Sequence, residues 1–167
     1  MLVKTNRGYK MVMELCYKTS FSVIGKKGST EDGEGFIQKL WEEANSNFGE
    51  VAHLAKKDKH GNILGVWGAM SDFTMSYRPW EDNFTKGLYL AGVEVVDEAE
   101  PPTGWVKWTI PSFQYAYTVA DSANTFNEGI TYLDDNKMEL VGAVQEFNCP
   151  EDGQVYLFYP IGKVHEA

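Results

Sequence analysis

One order of elements runs twice along this 167-residue chain: strand, helix, strand, strand. Three short echoes mark the repeat. Leu88-Tyr-Leu-Ala-Gly-Val93 corresponds to Val155-Tyr-Leu-Phe-Tyr-Pro160, Glu34-Gly-Phe-Ile37 to Glu128-Gly-Ile130, and Gly65-Val-Trp67 to Gly142-Ala-Val144. A half-sheet with one helix buries little apolar surface alone. Two of them must pair over a shared core, which leaves a crevice along a pseudo-twofold seam. The expectation is one α+β domain over residues 1–167, with a first module at about 10–96, a linker at about 97–104 and a second module at about 105–164. The linker holds Asp97, Glu98, Glu100 and the pair Pro101-Pro102.

Residues 11–17 and 21–24 read as strands closing at Gly25. Ser29 or Thr30 then caps a helix with acids in its first turn and Phe36, Ile37, Leu40 and Trp41 as its buried stripe. In the strand over 63–70, Gly65 and Gly68 mark a close approach by something bulky. Residues 71–86 form a long irregular segment carrying Phe73, Tyr77, Trp80 and Phe84, either pinned to the core or lining a pocket mouth. Strands follow at 87–96, at 105–110 (an edge strand stopped by Pro111) and at 113–119, then a second helix from Thr125 to near Asp134. A hairpin over 142–161 turns at Cys149-Pro-Glu-Asp-Gly-Gln154 and completes the chain.

The net charge of −9 is uneven: residues 1–87 hold 12 Lys and Arg against 11 Asp and Glu, residues 88–167 hold 3 against 13. Such a field repels phosphate backbones and anionic membranes and draws in cations, which argues against direct nucleic-acid binding. The two cysteines, Cys16 and Cys149, fit no metal spacing and read as reduced thiols. No signal peptide or transmembrane run is visible, so a cytoplasmic location is expected. There is no Gly-rich phosphate loop and no Gly-x-Ser-x-Gly elbow, and His53, His60 and His165 have no partner at ligand spacing. Neither a cofactor nor a metal is expected.

What remains is carboxylates amid aromatics. Glu146 interrupts a run that a purely structural strand would fill with Thr or Val; it is either a solvated position or an acid pointing into an aromatic cavity. Glu94 is the second candidate. An ionised glutamate in an apolar box costs heavily in desolvation unless a cation or hydrogen-bond donors meet it. Such a box attracts delocalised organic cations through charge and ring faces together. Tyr156, one strand over, is expected to donate its hydroxyl to Glu146, and Trp67 to supply a stacking wall. Tyr77, Trp80, Tyr89, Trp105, Trp108 and Phe113 are further candidate ligand contacts. Ordinary core packing is the competing reading for each aromatic.

The ordered set Phe21-Ser-Val-Ile-Gly25, Phe36-Ile-Gln-Lys-Leu-Trp41, Leu88-Tyr-Leu-Ala-Gly-Val-Glu-Val95, Pro102-Thr-Gly104, Ile110-Pro111 with Tyr115-Ala-Tyr-Thr118, Gln145-Glu-Phe147 and Leu157-Phe-Tyr-Pro-Ile161 resembles the GyrI-like family. These are small-molecule effector-binding domains, also found fused to transcription activators of the AraC and MerR types. The resemblance covers about residues 12–164. It implies duplicated β-α-β-β modules (SHS2-like) with a pseudo-twofold antiparallel sheet, two helices and a ligand cleft at the seam. Family members hold bulky, often cationic aromatic compounds against an acid on the cleft floor, and Glu146 matches that acid. The chain departs from the pattern at Asn148, where Tyr is frequent, and at Tyr156, where an acid is frequent.

Three functions follow as expectations. The first is a stand-alone binder of small hydrophobic or cationic aromatic molecules, monomeric or homodimeric. The second is a hydrolase that opens strained cyclopropane rings of DNA-alkylating natural products, with Glu146 and Tyr156 as catalytic groups. The third is an acidic protein that occupies the DNA-binding surface of a topoisomerase, the weakest because the acids are dispersed rather than spaced like phosphates.

Overall fold

The computed structural model describes residues 2–4 and 10–164. Strands β1 (Leu2–Lys4) and β2 (Lys10–Val12) pair with each other apart from the main sheet. The main sheet has eight strands: β3 (Glu14–Lys18), β4 (Phe21–Ser29), β5 (Val66–Ser71), β6 (Leu88–Val95), β7 (Val106–Ile110), β8 (Phe113–Val119), β9 (Gln145–Asn148) and β10 (Val155–Lys163). Their order is β3-β8-β10-β9-β5-β6-β4-β7, and every neighbouring pair is antiparallel. Helices α1 (Phe36–Ser46) and α3 (Thr125–Asp135) have 11 residues each, and α2 (Glu81–Phe84) is a single turn.

Alternation along the strands sends side chains to two faces. One face meets the helices. Phe36, Leu40 and Trp41 of α1 pack on Tyr89, Ala91 and Val93 of β6, while Tyr132 and Leu133 of α3 pack with Val144, Leu157 and Tyr159. Phe36, Leu40 and Trp41 are half-buried, so each contributes less than the roughly 1.5–3 kcal/mol of a fully buried large apolar side chain. The opposite face carries neither α1 nor α3 and buries itself across strands. The Trp67 ring lies 4.7 Å from those of both Phe21 and Phe147, and Trp108, Phe113 and Tyr115 extend the cluster.

Two local expectations change. Ser29 is a cap, accepting from the Glu31 amide while Asp32 accepts from the Ser29 amide, but it caps a separate 3-10 turn at Thr30–Asp32. Helix α1 begins only at Phe36, after Gly33 and Gly35 take positive φ. Strand β4 does not close at Gly25; it continues to Ser29. Gly25 stands opposite Gly92 of β6, and a Cβ on Gly25 would lie 2.3 Å from the Ala91 carbonyl oxygen. Glycine at that position permits a close strand crossing rather than ending the strand.

Candidate functional site

Strands β5 and β9 form the central pair of the sheet, with Gly68 opposite Glu146 and Trp67 opposite Phe147. Because side chains alternate, Val144 and Glu146 point to the helix face while Gln145 and Phe147 point away. Gln145 is buried. Its side chain accepts from the Met70 amide at 2.9 Å and donates to the Met70 carbonyl at 3.1 Å, prolonging the β5–β9 ladder past its last backbone pair.

Above Glu146 lies a cleft of about 220 Å³. Ile37 of α1 and Phe126 of α3 form its sides, Met70, Val144 and Glu146 its floor, and Pro79, Trp80 and Phe84 its roof. The roof is the long segment after β5. Asp72, 3% exposed, knots its beginning, accepting from the Ser71 and Thr74 hydroxyls and from the Ser76 and Arg78 amides. Burial alone would raise the Asp72 carboxyl; those hydrogen bonds outweigh it and hold the group below the usual carboxylate range. Trp80 donates from its indole N–H to the Leu88 carbonyl at 3.0 Å. Asp82, Asn83 and Phe84 then wind left-handed, with φ of 51°, 57° and 65°. Asp and Asn tolerate this region; Phe does so at a cost of about 1–3 kcal/mol. That conformation places the Phe84 ring edge-on to Phe126, 5.2 Å away, so the roof touches α3.

The floor holds one carboxylate. The Tyr89 hydroxyl donates to Glu146 Oε1 at 2.6 Å, and the Trp41 indole N–H donates to the Tyr89 oxygen at 3.0 Å. Burial raises the Glu146 carboxyl above its ordinary value of 4.5, against the lowering effect of the Tyr89 hydrogen bond. Burial also lifts Tyr89 well above its ordinary value, and the Glu146 charge adds to this, so the phenol stays protonated as the donor. Among the described residues no lysine or arginine pairs with Glu146.

Glu94 is the opposite case. It faces the other side of the sheet, where Trp67 Nε1–H donates to it at 3.0 Å and Lys18 and Lys56 lie 3.4 and 3.7 Å away. Its charge is already matched within the protein.

The other expected residues divide by face. Tyr89 and Trp80 join Glu146 at the cleft, Tyr89 from beneath the floor. Tyr156 does not reach Glu146. In the β9–β10 register Tyr156 stands opposite Phe147 and Leu157 opposite Glu146, so Tyr156 points away, and its hydroxyl donates to Asp152 at 2.5 Å. That hydrogen bond, more than anything else, pushes the Tyr156 phenol up to about 12. Trp67 is no wall of the cleft but the centre of the other face's aromatic cluster, which also takes Tyr77, Trp108 and Phe113. Trp105 packs near the C-terminal end of α1, with its indole N–H donating to Glu50 at 2.8 Å. The sequence reading missed Phe126, Met70 and Val144 as lining residues and treated Ile37 only as core. Phe126 carried a usable signal, since it opens the apolar stripe of α3 as Phe36 and Ile37 open that of α1.

Among the described residues no group of three or more His, Cys, Asp and Glu could hold a metal ion, and no helix is long and apolar enough to cross a membrane. No protein-family model matches the chain, and no curated protein matches it in sequence. Solved structures do match in fold. SAV2435 bound to tetraphenylphosphonium superposes with a TM-score of 0.62 at 19% identity, covering 90% of this chain and 94% of that one. A putative bacterial transcription regulation protein from Staphylococcus aureus MU50 gives 0.58 at 18%, covering 91% and 99%. The EcmrR C-terminal domain gives 0.58 at 14%, covering 92% and 100%. At these identities the likeness is one of fold: a mixed α+β architecture on a large antiparallel sheet.

Proposed function

We propose that this chain is a GyrI-like small-molecule-binding domain that takes a bulky aromatic cation into the cleft, with Glu146 as its counter-charge. The observation that carries the reading is a half-buried carboxylate on the cleft floor, held by one phenol, that no cationic side chain among the described residues meets. A delocalised cation bound there replaces lost hydration with charge attraction and ring contact, from Trp80, Phe84 and Phe126. Two fold neighbours support the reading: SAV2435 was solved bound to tetraphenylphosphonium, and the other is the C-terminal domain of EcmrR.

The same reading treats the chain as one domain of two like modules joined at about residues 97–104. The segment β4-α1-β5-β6 lays its strands down in the order β5-β6-β4, and β8-α3-β9-β10 lays its own down as β9-β10-β8. Joining β5 to β9 then puts α1 and α3 on either side of the seam, and Glu146 on the seam itself.

Titrating tetraphenylphosphonium while following tryptophan fluorescence tests the function. Saturable quenching is expected, weakened about 30-fold or more by Glu146→Gln, since losing one partner of a desolvated charge pair costs about 2–5 kcal/mol. Equal affinity in both proteins refutes the role of Glu146.

A second reading has one specific support. A cleft carboxyl raised by burial, with a phenol donating to it at 2.6 Å from beneath the floor, suits hydrolytic opening of a strained cyclopropane by activated water. In that version Tyr89 replaces Tyr156 as the proton partner. Absence of ring-opened product after incubation with such a compound removes it.

A further inference from the structure

A second cavity lies along α1 from the cleft, toward the helix C-terminus. It measures about 170 Å³, and its walls include Trp41, Phe48, Val51, Ile63, Val93 and Trp105. Its chemistry differs from that of the cleft. The only polar side chain in the lining besides the two indoles is Asn45 at the rim. The nearby charges are engaged elsewhere: Glu50 accepts from Trp105, and Lys26 lies over the Trp105 ring at 4.3 Å, donates to the Gly104 carbonyl and pairs with Glu43. A cation would therefore find no free acid, and water would find few partners. An apolar cavity of about 150 Å³ is large enough to take up benzene.

Trp41 belongs to both places. Its ring is a wall of this cavity, and its N–H donates to Tyr89, which donates to Glu146 on the floor of the cleft. We propose that this cavity is a second binding site, for a small neutral ring compound, and that its occupant tunes the cleft carboxylate by displacing the Trp41 ring. An occupant pressing on the indole changes the donor that Tyr89 receives, and with it the hydrogen bond Tyr89 gives to Glu146. Linkage makes the effect reciprocal: ionising Glu146 alters affinity at the second site by the same factor.

The binding half does not depend on the cleft's ligand, so it is tested with fluorobenzene, a neutral single ring followed by fluorine NMR. The expected result is saturable line broadening that persists with excess tetraphenylphosphonium and in Glu146→Gln. It should be lost in Ala44→Leu and in Ile63→Trp, which fill the cavity from the helix and from the rim. Broadening that is absent, or that tetraphenylphosphonium abolishes while both filled variants retain it, overturns the site. The coupling half is read from the carboxyl carbon of Glu146 by NMR, with no cation present. Saturating fluorobenzene should move its titration midpoint in the natural protein and leave it unmoved in Trp41→Phe, which keeps a ring but loses the N–H. An unmoved midpoint in the natural protein overturns the coupling even where fluorobenzene binds.

Discussion

The Tyr89 hydroxyl occupies the space where a side chain on Gly68 would begin. A Cβ built on Gly68 would stand 2.0 Å from that oxygen and 2.8 Å from Glu146 Oε1. The contact between phenol and carboxylate thus exists because a residue on the neighbouring strand has no side chain. Gly68→Ala must push the two apart or tilt β5 away from β9. The expected cost is about 1–3 kcal/mol of stability, typical of overpacking, measured by urea unfolding. Affinity for tetraphenylphosphonium should fall with it, and a variant with unchanged stability and affinity would contradict the geometry.

Because burial raises the Glu146 carboxyl in the folded state, linkage sets the sign of its pH dependence. A group with a raised folded-state value adds stability below its unfolded value, and that stability is lost as pH rises through the folded value. Glu146→Gln should therefore gain on the natural protein as pH rises from below 4.5 through the raised midpoint, which paired urea titrations along that series will show. Cation affinity runs the other way. It should drop on acidification through a midpoint above 4.5, with proton release on binding at pH values near that midpoint.

The two acids should separate cleanly by mutation. Glu94→Gln leaves Lys18 and Lys56 facing a neutral group beside the Trp67 indole. Glu94's side chain is 8% exposed and the lysines' 29% and 44%, so solvent screens part of the loss. A destabilisation of about 1–2 kcal/mol is expected, below the range for fully buried pairs. Cation affinity should be retained. Loss of binding without loss of stability would relocate the site to the other face of the sheet.

Phe84 closes the roof onto α3 through its ring contact with Phe126. In Phe84→Ala the left-handed turn loses its aromatic edge, a contact of about 0.5–1.5 kcal/mol. The bound cation should dissociate roughly 2- to 10-fold faster in stopped-flow displacement, by the same energy. Stability to urea should fall by no more than about the same 0.5–1.5 kcal/mol, because the ring packs at the cleft roof rather than in the core.

Legibility in the sequence followed the range of the forces involved. Local signals were readable: both long helices near their positions, the strands of the main sheet, the Ser29 cap and the odd acid at Glu146, but not strand β1 or the single-turn α2. The Ser29 cap was assigned to the wrong helix because Gly33 and Gly35 permit a break that composition alone does not announce. Strand β4 was ended too early because Gly25 looked like punctuation. It is in fact one of two facing glycines, visible only once β4 lies against β6.

The chain's own pattern was enough to determine the order of the main sheet's strands and the two long helices along the chain, the acidic second half and the short list of acids set among aromatics. Tertiary structure alone decided which acid lacks a counter-charge among the described residues and which phenol serves it. A shift of one residue in strand register moves a side chain to the opposite face of a sheet. Leu157, not Tyr156, stands across from Glu146, while Tyr89 arrives from two strands away over a glycine. Pairings of that kind follow from the register and curvature of the assembled sheet, and no local propensity encodes them.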